Sequence, residues 1–271
     1  MKRGIALGGG GARGAYEMGA LKALKEMGYL DNVDLISGVS VGSLNASMVA
    51  MDKFKEGEEI WLSNRSETLF SHPPSIIKSV MDKKLTLLDK GMYETEALES
   101  LMDEMFDYDL LRKSNVLVGI AYVGDEKTGF FELIKANIKY LFEHKNWMHY
   151  VNLKDLSDTE IKNTILASCA IPLMFKPIII DGKKYYDGGM YERLPIRPLI
   201  EAGCDEIIAI DLFRLSLKRK KSIDGSKLIH IYPSTNLGGI MDFSKNKNLT
   251  RFEAGYLDAK KALNLYEVSD N

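Results

Sequence analysis

Val33-Asp34-Leu35-Ile36-Ser37-Gly38-Val39-Ser40-Val41-Gly42 runs a short apolar segment into Gly-x-Ser-x-Gly, and a helical pattern follows to Met51. Val33 to Ile36 reads as a buried strand and Val41 to Met51 as a helix. A serine at such a strand-to-helix turn is the pattern of a nucleophile elbow. The turn is so tight that side chains at Gly38 and Gly42 would collide, so both positions call for glycine. Ser40 then stands at a helix N-terminus, where the dipole favours negative charge. The Val41 amide points where an oxyanion would form. The same five residues also arise by chance in glycine-rich chains. Their weight comes from the strand before and the helix after.

The same rhythm precedes this stretch. Gly4-Ile5-Ala6-Leu7 reads as a strand, Gly8 to Gly11 as a glycine run, and Ala12 to Met27 as a helix with Met18, Leu21, Leu24 and Met27 on one face. Gly28 stands at the expected C-cap. Two strand–turn–helix units in succession predict an α/β fold with a mainly parallel sheet and helices on both faces. The loop Gly9-Gly10-Gly11-Ala12-Arg13-Gly14 exposes bare backbone amides that suit an oxyanion or a phosphate. Its spacing also fits the dinucleotide fingerprint, with Asp31 or Asp34 as ribose ligand. Close helix–strand packing alone would be a third reason for the glycines.

Toward the C-terminus the alternation is interrupted. Residues 58–106 are polar and helical in pattern, with a Leu98, Leu101, Met102, Met105 stripe, and suggest a helical cap inserted into a single domain spanning 1–271. Val116 to Val123 reads as a central strand, Thr128 to Ile134 as a partner strand, and Asp158 to Ser168 as a helix. Ile178-Ile179-Ile180, Asp181-Gly182, Lys183 to Tyr186 is a hairpin pattern with a type I′ turn. It delivers Asp187-Gly188-Gly189 to the sheet edge. Such a triplet is usually an ordinary turn, but a serine nucleophile needs a base. His72 precedes two prolines, His144 and His149 flank Trp147, and His230 lies inside the strand Lys227 to Tyr232. Asp211, ending the strand Glu206 to Leu212, is a second carboxylate to weigh, and Ser40 with Asp187 or Asp211 and His230 would form a conventional triad.

Composition narrows the field. Apolar residues make up 45% and charged residues 27%, a soluble globular balance. A formal net charge of -2 gives no electrostatic case for nucleic acid. The run Lys218-Arg219-Lys220-Lys221 reads as a solvated loop. Two distant cysteines, Cys169 and Cys204, form neither a disulfide framework nor a metal site. With a glycine-broken N-terminus and no long apolar run, the expectation is a cytoplasmic protein with no metal and no cofactor.

In this order, the glycine loop, the elbow serine and Asp-Gly-Gly resemble the patatin-like phospholipase family. Ala167-Ser168-Cys169-Ala170-Ile171-Pro172 is similar to the family's A-S-x-A-x-P segment, and Asp242-Phe243-Ser244 to Asp258 more weakly to the tail of bacterial members. The resemblance covers roughly Lys2 to Leu199. It implies a three-layer sandwich, Ser40 as nucleophile and Asp187 as base of a dyad without histidine. It further implies Gly9, Gly10 and Gly11 as an oxyanion loop with Arg13 beside it. Gly14, Gly38, Gly42, Gly188 and Gly189 support these motifs. The implied substrate is a lipid or fatty-acyl ester, compatible with peripheral contact at a membrane surface. Leu173-Met174-Phe175 and the helices of 58–106 could line an acyl channel, or serve as core. One departure is Glu192, where many bacterial members carry Asn.

Overall fold

The computed structural model describes residues 1–65, 95–125, 147–172, 174–214 and 222–270. The middle of the expected cap, the strand expected at Thr128 to Ile134, Leu173, and the basic run from Lys218 lie outside the described residues, as do His72 and His144.

Five strands form a parallel centre: β1 (Arg3–Leu7), β2 (Leu35–Val39), β3 (Val116–Asp125), β7 (Glu206–Ile210) and β9 (Ser226–Ile231), in the order β3-β2-β1-β7-β9. Antiparallel strands flank this centre. β4 (Met148–Asn152) and β6 (Lys183–Asp187) pair with β3, β5 (Ile178–Ile180) pairs with β6, and β8 (Ser222–Ile223) pairs with β9. The β5–β6 turn places Asp181 at φ 49° and Gly182 at φ 70°, the two left-handed residues that a type I′ hairpin needs.

Alternation along the central strands divides the core. Ile5, Leu7, Ile36, Ile208, Ile210, Ile229 and Ile231 face one layer, while Ala6, Leu35, Ile207, Ala209 and Leu228 face the other. A parallel sheet must be covered on both faces, so apolar residues occur at consecutive positions. The larger layer holds α1 (Gly14–Glu26), α2 (Val41–Ala50), α3 (Phe54–Leu62), α4 (Glu96–Met105), α5 (Tyr108–Lys113), α6 (Asp158–Cys169) and α8 (Lys245–Asp270). The thinner layer is led by α7 (Arg197–Glu201) with Ile196 and Leu199. α1 and α8 cross where Gly19 lies on the Phe252 carbonyl and Gly255 on the Tyr16 carbonyl, so a methyl group at either glycine would strike backbone.

Sequence and structure agree on element type, with shifts at the ends. The second strand reaches Val39 rather than Ile36, and the terminal helix begins at Lys245 rather than Phe252. The Leu98, Leu101, Met102, Met105 stripe of α4 is buried in the main core, with Met102 fully so. α4 is also tied down at its edges by Arg65 to Glu104 at 2.6 Å and by Lys162 to Asp103. The stripe therefore serves packing. Met102→Ala is expected to cost about 2–5 kcal/mol through lost contacts and a residual cavity. Urea unfolding measures it, and a cost under about 1 kcal/mol would place the side chain at a surface instead.

Candidate active site

Register on β3 brings the two motifs together. β2 pairs with Val116 to Gly119, ending at Val39 opposite Gly119. β6 pairs from Asp125 back to Ile120, ending at Asp187 opposite Ile120. β4 spans Leu117 to Ala121 and so overlaps both. A strand has two edges, so β4 occupies one while β2 and β6 share the other, meeting end to end. Ser40 leaves the tip of β2 and Asp187 forms the tip of β6. The Ser40 hydroxyl lies near enough to the Asp187 carboxyl to lower its affinity for protons.

Ser40 has φ 55° and ψ -130°, a left-handed conformation costly for a residue with a side chain. The elbow is held on several sides. Ser43 donates through Oγ and N to the Ser40 carbonyl, at 2.6 and 2.9 Å. A Cβ at Gly38 would lie 2.5 Å from the Gly42 carbonyl, and one at Gly42 would strike the Leu7 carbonyl. Ser168 Oγ accepts the Ser40 amide at 2.8 Å and donates to the Gly119 carbonyl at 2.7 Å. Two residues on, the Ala170 carbonyl accepts the Asp187 amide at 2.9 Å. The end of α6 thus grips both tips at once. Its start is fixed by a reciprocal capping box between Ser157 and Glu160.

Asp187 is buried, and desolvation pushes its carboxyl up from about 3.8 to about 6. The nearby Ser40 hydroxyl and the Gly189 amide, the latter hydrogen-bonded at 2.7 Å, oppose that shift. The following glycine is required by space, because a Cβ at Gly188 would lie 2.6 Å from the Gly119 carbonyl. Glu192, the departure noted in sequence, accepts from Arg197 Nε at 3.2 Å, and its amide donates to the Gly188 carbonyl at 3.0 Å.

The glycine loop shows a division of labour that the sequence does not reveal. The Gly9 amide donates to the Arg193 carbonyl at 2.8 Å, and Ala12 to the Ile240 carbonyl at 2.8 Å. Among the described residues no acceptor is recorded for the Gly10 and Gly11 amides. The expected three-glycine donor set therefore narrows to Gly10 and Gly11, with Val41 across the turn. A Cβ at Gly10 would meet Leu212, not the approach to Ser40; the one facing Ser40 belongs to Gly9, 3.2 Å from Ser40 Cβ. Arg13 donates to the carbonyls of Gly238 and Leu212 and stacks on Phe213, 4.5 Å from the ring centre. With its guanidinium so engaged, it braces the 236–242 segment behind the loop.

The other candidates stand apart. His230 Nε2 lies 3.4 Å from Asp211 Oδ2, but β9 is three strands from β2, about 14 Å at the usual spacing. His149 pairs with Ile120 from the opposite edge of β3, and its ring meets Tyr122 and Tyr185.

The family model described as patatin-like phospholipase matches residues 5–200. Lysophospholipase NTE1 of Kluyveromyces lactis is 23% identical over 217 residues, 77% of this chain and 12% of that protein. Neuropathy target esterase sws of Drosophila melanogaster is 28% identical over 218 residues, 77% of this chain and 13% of that protein. The chain therefore spans only a small part of the length of these curated relatives. Among solved structures, VipD from Legionella pneumophila shares the fold, with a TM-score of 0.55 at 15% identity over 97% of this chain and 66% of that one.

Ser168→Ala leaves the Ser40 amide and the Gly119 carbonyl buried without a partner, at about 1–3 kcal/mol. The variant is expected to react with a fluorophosphonate at least tenfold more slowly while remaining folded. Unchanged labelling kinetics would show that Ser168 does not hold the elbow.

Proposed function

The chain belongs to the patatin-like phospholipase family, and from that membership we propose that it is a serine-dependent lipid acyl hydrolase working through a Ser40–Asp187 dyad. The observation that carries this reading is the convergence of two strand tips on β3, which sets Ser40 beside a buried carboxyl whose affinity for protons is raised.

Ser40 Oγ attacks the ester carbonyl carbon while Asp187 accepts its proton. The carbonyl electron pair moves onto oxygen, and the amides of Gly10, Gly11 and Val41 stabilise that charge. Collapse expels the alcohol, which takes the proton from Asp187, and leaves Ser40 acylated. Water then attacks with Asp187 again as base, releasing the carboxylic acid and restoring Ser40. An ordinary aspartate is a weak base for a serine hydroxyl. Desolvation narrows the mismatch, and fixed geometry supplies effective concentration. No step calls for a metal or cofactor.

The substrate class is a lipid acyl ester, in keeping with relatives named as lysophospholipases. Contact with a membrane surface belongs to the same proposal, since such substrates are presented there. Among the described residues no helix is long and apolar enough to cross a membrane. The proposal assigns acyl selection to the insertion expected at residues 58–106, apart from the α4 stripe that serves the core.

Ser40→Ala should abolish fluorophosphonate labelling and turnover with the fold intact. Asp187→Asn should lose at least a hundredfold in kcat, while His230→Ala stays near wild type. The reverse pattern would favour a triad. Asp187 acts as a base only when ionised, so kcat/KM should fall as pH drops through about 6. A profile flat from pH 7 to pH 5 would remove Asp187 from the base's role.

A further inference from the structure

Glu17, on the first turn of α1, is completely buried and has no part in the chemistry above. Its Oε2 accepts from Asn45 Nδ2 at 2.8 Å. The Gly8 amide, which donates to the Ile210 carbonyl at 3.2 Å, lies near enough to favour the charged form of Glu17 as well. Its Oε1 has no partner among the described residues. One oxygen with donors and one without is the pattern of a carboxylic acid, since a carboxylate would leave an anionic oxygen bare in the core.

The connections radiating from this carboxyl are specific. Asn45 Nδ2 also donates to the Gly14 carbonyl at 3.1 Å, and Asn45 Oδ1 accepts from Trp61 Nε1 at 3.1 Å. Trp61 thereby fixes which way the Asn45 amide faces. Gly8 and Gly14 are the two ends of the glycine loop, and Asn45 sits on α2, whose N-cap is Ser40. Asn45 ties the Gly14 end of the loop to the helix that carries Ser40, and Glu17 holds Asn45 while lying near the Gly8 amide at the other end.

We propose that Glu17 is a positioning residue, held as a neutral acid, which with Asn45 and Trp61 sets the glycine loop against Ser40 and releases that setting when it ionises. The inference rests on the glycine loop serving Ser40 as an oxyanion site. Burial pushes the Glu17 carboxyl up to about 8, against the opposing pull of the Asn45 side chain and the nearby Gly8 amide. The charged groups on the packed elements are engaged elsewhere. Glu58 of α3 pairs with Lys22 of α1, Asp258 of α8 with the Tyr16 hydroxyl, and Arg251 of α8 with the carbonyls of Ala12, Leu237, Gly239 and Asp242. None of them acts on Glu17.

The sign follows from linkage. The unfolded chain loses this proton near the ordinary glutamate value and the folded chain near 8, so the folded form binds more protons between them. Stability from this group is full below about 4.5, declines as pH rises, and is gone above about 8. Gln mimics the neutral acid at every pH.

The test compares the full chain with Glu17→Gln and Glu17→Ala from pH 5 to 9.5, using a soluble p-nitrophenyl ester and thermal melting. Wild-type kcat is expected to fall with an alkaline midpoint near 8, and Glu17→Gln to lose that limb while keeping the acid limb. Glu17→Ala should lower plateau kcat about tenfold with KM within twofold. The melting temperature of Glu17→Gln, relative to wild type, should climb by several degrees between pH 5 and 8.5. An alkaline limb that persists in Glu17→Gln, or a melting difference independent of pH, would overturn the proposal. The melting arm needs no turnover, so an inactive wild type would count against the hydrolase reading and leave this test standing.

Discussion

Everything at the site depends on two strands sharing one edge of β3. β2 arrives parallel and stops opposite Gly119, and β6 arrives antiparallel and stops opposite Ile120. Had β6 paired one residue further along, its alternating side chains would have changed face and Asp187 would have turned away from Ser40. The hairpin that aims β6 is therefore as much a part of the site as the proposed dyad. Its turn, left-handed at both central residues, sets β5 against β6, and a bulge in β3 between Tyr122 and Gly124 brings β6 into the register that ends at Asp187.

That junction explains why so many glycines gather there. Where two strand ends, an elbow and a loop converge, backbone approaches backbone, and a single methyl group would collide at Gly38, Gly42 or Gly188. The pattern was legible because glycine requirements are local and leave a sequence record. The elbow, the Asp-Gly-Gly turn and the hairpin could all be read from neighbouring residues. So could the parallel sheet, because a strand buried on both faces is written as an unbroken apolar run.

What the sequence did not disclose depends on residues far apart in the chain. Ser168 was visible as part of a motif, but its grip on the Ser40 amide crosses 128 positions. Arg13 was expected only as a basic residue beside the loop, and its partners, the carbonyls of Leu212 and Gly238, lie 199 and 225 positions away. The Gly9 amide looked free and is taken by Arg193. Glu17 left one local trace, an acid at i-4 and i-7 from Leu21 and Leu24 on a helix otherwise apolar on that face. Such a residue is either misplaced or held by partners, and the partners come from α2 and the end of β1.

Asp187 and Glu17 make an instructive pair, because burial raises the proton affinity of both carboxyls against one nearby side-chain donor and one nearby backbone donor. Their donors are alike in kind, so the difference in charge state must come from elsewhere. Asp187 lies at the rim where strand ends meet the crevice and keeps 5% of its surface exposed, whereas Glu17 keeps none. Glu17 even has the advantage of a helix N-terminus, worth about 0.3–1 kcal/mol to an anion. A rise from 4.5 to about 8 corresponds to roughly 5 kcal/mol at 1.36 kcal/mol per unit, so desolvation outweighs that dipole several-fold. In the proposed scheme Asp187 is the carboxyl that accepts a proton near neutral pH, and Glu17 the one that sits in the core as an acid. The proposed base and the proposed anchor of the loop would thus be the same functional group at two depths.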